Sequence, residues 1–231
     1  MNFLENPIFL LAVTFSLFFA AKWLQKRTGL MLLNPILLTI ALLIIFLKSA
    51  GISYEKYNQA GHLIEFWLKP AVVALGVPLY LQLETIRKQL LPILLSQLAG
   101  CVTGVVSVVL IARCMGASRE VICSLAPKSV TTPIAMEVSA SLDGIPSLTA
   151  AVVVCVGILG GMLGFKAMQI GRVKSPMAQG LSMGTAAHAV GTSAAMEVGS
   201  KYGAFASLGL TLNGILTALL TPTLLRMLGI I

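Results

Sequence analysis

The tetrapeptide Ala-Met-Glu-Val stands at residues 135–138 and again at 195–198, each time in a segment rich in Gly, Ser and Thr set between long apolar runs. A carboxylate among small polar residues is costly in hydrocarbon unless it faces protein or a water-filled cavity. Two such segments point to one central site and to a duplicated unit, an arrangement that suits a transporter-like core.

Hydrophobic residues make up 57% of the chain and charged residues 10%, against roughly a quarter charged in a soluble domain. The expectation is an integral membrane protein. Apolar runs lie at about 8–21, 31–47, 63–83, 90–112, 147–165 and 204–225, each near the ~20 residues of a helical span. The alternation of a β-barrel is absent. The first run has no basic stretch ahead of it and no small-residue cleavage site behind it, so it is expected as a span rather than a signal peptide.

Basic residues orient the spans. Lys22, Lys26 and Arg27 follow the first run, Arg87 and Lys88 the third, and Lys166, Arg172 and Lys174 the fifth. With these connections cytoplasmic, the N-terminus lies outside. Four spans then bring the chain outside at about 113–120, and run 147–165 returns it inside. The intervening 121–142 must cross an even number of times or not at all. It cannot cross twice, since each half would be only ~16 Å long as helix, but it can enter and leave as a re-entrant hairpin. Pro127 and Pro133 interrupt it, and Asp143-Gly144-Ile145-Pro146 supplies the exit turn.

The second segment, about 177–200, fits the same description from the opposite face. Gly180, Gly184, Gly191 and Gly199 weaken a continuous helix there. The expected fold is therefore an all-α polytopic membrane protein with about six spanning helices and two re-entrant or broken helical hairpins in an inverted repeat. One membrane domain, 1–231, comprises a four-helix part, 1–118, and a part, 119–231, holding two hairpin-plus-span repeats, 119–170 and 177–231. The C-terminus is expected outside. Ordinary spans packed closely through Ala and Gly are the competing reading of both segments.

Glycines four apart, at 100 and 104, 157 and 161, and 160 and 164, lie on helix faces that permit close backbone approach. Gly160-Gly161-Met162-Leu163-Gly164 lacks the Lys-Ser/Thr and the preceding strand of a phosphate loop. Cys101, Cys114, Cys123 and Cys155 are single and widely spaced, so no metal or redox motif and no cofactor is expected. The net charge of +8 belongs to span ends and anionic headgroups of the bilayer rather than to nucleic acid. Lys69 is expected near a span end, its charge snorkelling to the interface, and Pro78 at a kink.

Candidate chemistry gathers in the broken segments. Lys128, beside the hydroxyls of Ser129, Thr131 and Thr132 and the free amides of a half-helix start, makes a suitable anion site. Interfacial snorkelling is the alternative for Lys128. Glu137 and Glu197 hold matching positions and share a role as proton-coupling groups or as structural charges. From the second segment, His188, Thr192 and Ser193 complete the expected substrate-binding set. A packing hydrogen bond is the alternative for His188. Pro127, Pro133, Gly184 and Gly191 are the expected helix breaks. No nucleophile, orienting base and stabilising acid can be assembled, so no enzyme is expected.

Pro127-Lys128-Ser129-Val130-Thr131-Thr132-Pro133-Ile134-Ala135, then Gly144-Ile145-Pro146-Ser147-Leu148-Thr149-Ala150, then Gly184-Thr185-Ala186-Ala187-His188-Ala189-Val190-Gly191-Thr192 strongly resemble the LrgB/CidB family. Leu33-Asn34-Pro35 and Gly51-Ile52-Ser53-Tyr54 extend the likeness over nearly the whole chain. It departs at Asp143, where a second Gly is common, and at Ala194, where a basic residue is common. The resemblance implies a bacterial inner-membrane protein, often paired with a small holin-like membrane protein of the LrgA/CidA type. It also implies antiholin-like modulation of murein hydrolase activity, and a similarity to the membrane part of the plastid glycolate/glycerate translocator and to bacterial pyruvate-transport systems. Two functions are therefore carried forward. The first is transport of a small monocarboxylate (glycolate, glycerate, pyruvate or hydroxypropionate type) by alternating access, with proton coupling at Glu137 or Glu197. The second is regulation of lysis through the holin-like partner. Assembly into a homo-oligomer is compatible with either.

Overall fold

The computed structural model describes residues 3–30, 33–74 and 76–231, and no strand occurs among them. Two compact units divide between residues 74 and 75.

In the first unit, α1 (Pro7–Thr28) and α2 (Pro35–Ala50) are punctuated alike. The side-chain oxygens of Asn6 and Asn34 accept from the backbone N–H of Ile8 and Ile36, both at 2.9 Å, satisfying amides a helix start leaves free. Pro7 and Pro35 follow, where the missing N–H is no loss. Gly29 (φ 66) and Gly51 (φ 65) end the two helices in the left-handed conformation that glycine adopts without strain. The motifs Leu33-Asn34-Pro35 and Gly51-Ile52-Ser53-Tyr54 are thus a helix start and a helix stop. α3 (Tyr54–Ala74) follows, and Ala60 packs with Leu10 and Ile52. The Thr14 and Tyr57 hydroxyls lie 3.1 Å apart, and Lys56 pairs with Glu5 at 2.5 Å.

Among the described residues, four helices are long and apolar enough to cross a bilayer: α1, α6 (Leu90–Cys114), α9 (Pro146–Ile170) and α11 (Ser200–Met227). The chain is an all-α, multi-spanning membrane protein. α2, with 16 residues, reaches ~24 Å, short of the ~30 Å hydrocarbon core. The run at 63–83, expected as one span, is divided: α3 carries Pro70 and ends at Ala74, and the short α4 (Gly76–Leu81) and α5 (Leu83–Lys88) follow. The side chains of Lys69 and Pro78 lie outside the described residues.

The second unit holds both interrupted segments. α7 (Arg119–Leu125) begins on Ser118, whose hydroxyl accepts from Val121 N at 3.4 Å. Pro127 lies just beyond its end and Pro133 in the first turn of α8 (Thr132–Ala140), so the two prolines bracket a non-helical tip. α8 then returns beside α7. Ser124 Oγ accepts from Ile145 N at 2.7 Å, and the Thr149 hydroxyl reaches the Ser124 carbonyl at 3.0 Å and Ser139 Oγ at 2.8 Å. At the open end Arg119 Nη2 stands 3.5 Å from Asp143 Oδ2. Asp143 adopts φ 57, a left-handed conformation that Asp tolerates better than most residues. Ile122, Cys123 and Val138 share one apolar core with Val105 and Val109 of α6 and Leu225 of α11.

α10 (Pro176–Val198) is likewise two half-helices. Its interruption falls at Ala187 (φ −126, ψ 17) and His188 (φ 40, ψ −132), between Gly184 and Gly191 rather than at either. The glycines have another use. A Cβ on Gly184 would run into the Ala206 carbonyl of α11, and one on Gly191 into the Met183 carbonyl. Met183, Ala195 and Ala206 belong to one cluster, whereas residues 183 and 195 of an unbroken helix would stand ~18 Å apart. The second half of α10 therefore folds back on the first.

The glycine face of α9 receives this interruption. A Cβ on Gly157 would lie 2.6 Å from His188 Cε1, one on Gly160 would meet Ala187, and one on Gly161 would lie 3.1 Å from Val190. On α6, Gly100 faces Thr185 at 3.2 Å and Gly104 faces Ser129 Oγ at 4.0 Å. Both glycine faces are packed on neighbouring segments, as their spacing implies.

Candidate functional site

A cavity of about 470 Å³ opens where the two interrupted segments meet α6 and α11. That volume suits a small organic molecule. Lys128 and Ser129 enter its wall from the tip between α7 and α8; Ser182 and Thr185 from the first half of α10; Ser96, Gln97, Gly100 and Gly104 from α6; Asn213 and Thr217 from α11. The glycines let both interrupted segments approach α6 closely.

Lys128 is half-buried. Its ammonium donates to Ser129 Oγ at 3.1 Å, and among the described residues no carboxylate lies within ion-pair distance of it. A cation in a low-dielectric wall without a counter-charge favours an anionic occupant. Gln97, only 2% exposed, accepts from the Thr185 hydroxyl at 2.7 Å. Asn213 Nδ2 donates to the Ser129 carbonyl at 3.2 Å and to the Thr185 carbonyl at 3.0 Å. One side chain of α11 thereby ties together both interrupted segments.

The other expected site residues lie away from the cavity wall. Thr131 and Thr132 are half-buried at the start of α8. His188 is buried with Nε2 2.9 Å from the Val153 carbonyl, so this ring nitrogen carries the proton and braces α10 on α9. The buried Thr192 hydroxyl donates to the His188 carbonyl at 2.9 Å, and Ser193 is exposed. Glu137 and Glu197 are both exposed on the chain's surface. Gln97, Thr185 and Asn213 are not among the site residues expected from the sequence, although Thr185 lies within the Gly184–Thr192 motif. The signal for two of them was available, since Gln97 and Asn213 are strongly polar side chains inside apolar runs.

The fold and site define a class: a polytopic α-helical membrane protein with interrupted helices around a largely apolar cavity into which a few polar side chains and Lys128 are set. The LrgB-like family model matches residues 14–227, and the chain belongs to that family. Relatives include the antiholin-like protein LrgB of Bacillus mycoides (strain KBAB4), 34% identical over 97% of this chain and 98% of the relative. The proteins of the same name from Bacillus cereus (strain B4264) and Bacillus anthracis (strain CDC 684 / NRRL 3495) are each 33% identical over the same shares. No solved structure matches.

Proposed function

We propose that the chain is an antiholin-like protein of the bacterial cytoplasmic membrane, working with a small holin-like partner of the LrgA/CidA type. The carrying observation is the end-to-end likeness to proteins of that name, which favours this reading over the transport reading that the sequence puts first. A second reading, alternating-access transport of a small monocarboxylate, is favoured by the cavity with Lys128 in its wall, which has no carboxylate within ion-pair distance among the described residues. Flux separates the two. If the pure protein in liposomes exchanges labelled small carboxylates, transport stands. If only the protein with its partner changes permeability, and carboxylates do not exchange, regulation stands.

For either function the proposed architecture is an inverted repeat, with α7–α8 plus α9 as one copy and α10 plus α11 as the other, each half-helix pair re-entrant. Folding back of both segments supports it. With the basic connections cytoplasmic, both chain ends lie outside. Cysteines placed at the exposed Asp143 and Lys201 are then expected to label from opposite sides of the membrane, with Lys174 internal. Labelling of both from one side would rule the inversion out.

A further inference from the structure

Asn213 is 1% exposed and stands in the cavity wall. Its amide orientation follows from its neighbours. Both N–H groups point at carbonyl oxygens, of Ser129 at 3.2 Å and Thr185 at 3.0 Å, and turning the amide over would set its oxygen against two acceptors. The carbonyls it serves belong to the non-helical tip and to the last turn before the α10 interruption, where a helix leaves acceptors without partners of its own. The consequence is that Asn213 Oδ1 is left over. It is buried and finds no hydrogen-bond partner among the described residues, although buried polar atoms are almost always paired. Gln97 Oε1 and the Thr185 hydroxyl already engage each other. Lys128 Nζ, on the same tip, is bonded to Ser129 Oγ.

We infer that Asn213 is a specificity-determining residue: its N–H groups hold both interrupted segments at the cavity, and its Oδ1 accepts from an O–H or N–H group that the ligand carries beside its negative charge. The inference rests on the carboxylate reading of the cavity. Lys128 neutralises the charge, and Asn213 reads whether a donor accompanies it.

Lactate and propionate differ by one hydroxyl and test this directly, by calorimetric binding to the purified full-length protein. The wild-type protein is expected to bind lactate about tenfold more tightly, because propionate leaves the buried acceptor unpaired. In Asn213→Ala the ratio falls to about one. Equal affinity of the wild type for the two acids overturns the inference and leaves the carboxylate reading standing. A tenfold preference that persists in folded Asn213→Ala also overturns it. Failure of the wild type to bind either acid removes the carboxylate reading, and the inference with it. Should Asn213→Ala not fold, the wild-type ratio alone decides.

Discussion

Lys128→Met is expected to weaken carboxylate binding and flux on the order of a hundredfold, the loss that follows when a desolvated anion forfeits its charged partner. Folding is expected to be unharmed. Lys128 has only the Ser129 hydroxyl as a hydrogen-bond partner and no counter-charge among the described residues, so its removal takes away a desolvation cost and breaks no ion pair. Lys128→Arg keeps the charge but replaces a compact ammonium with a planar fork in a wall built for the former, giving an intermediate affinity. His188→Ala should do less to affinity, since its ring is spent on the Val153 carbonyl outside the cavity wall. Binding and flux measured on protein shown to be folded decide the matter. Unchanged values for Lys128→Met would assign Lys128 to the interface and remove it from the site.

The same residue shows what could be read from sequence. Pro127 and Pro133 locate the first interruption because proline cannot continue a helix from within but tolerates its first turn, and Lys128 and Ser129 sit between them. The Asn-Pro starts and Gly stops of α1 and α2 were equally legible as local chemistry. Rotation about a helix axis was not. Glu137 and Glu197 share a register in the repeated tetrapeptide, yet each residue turns a helix by about 100°, and the face a short helix presents depends on the tip or interruption before it. Both glutamates fall on the exposed side.

The interruption of α10 was legible only as a region. It falls on Ala187 and His188, neither a breaker by type, with His188 at φ 40 where glycine would be expected. Tertiary contact supplies the reason: the His188 ring bonds the backbone of α9 across Gly157, which has no side chain in the way. The cavity wall was the least visible part. It draws on uncharged Gln97 and Asn213 from runs that otherwise read as spans, and only the folded arrangement brings them to the two interrupted segments.

Gly184→Ala is expected to cost the most of any single methyl group in this chain. The added Cβ would run into the carbonyl oxygen of Ala206 and lie 2.8 Å from both the Ala206 carbonyl carbon and Leu210 N. All three are backbone atoms of α11, so no rotamer change relieves the overlap and the two helices must move apart. Overpacking a core costs typically ~1–3 kcal/mol, and a rigid backbone neighbour puts this site at or above the upper end. Gly104→Ala is the control: its Cβ meets only Ser129 Oγ at 4.0 Å, an ordinary contact. In detergent, Gly184→Ala is expected to lose most of its monodisperse protein and to melt well below the wild type, while Gly104→Ala matches it. Equal melting of Gly184→Ala and wild type would mean that α10 and α11 do not pack through this glycine. The consequence reaches the site, because the contact at Gly184 sets how far Thr185 stands from α11. If α10 is pushed outward, the Thr185 carbonyl leaves Asn213, the second interrupted segment is released, and the wall that Lys128 shares with it opens.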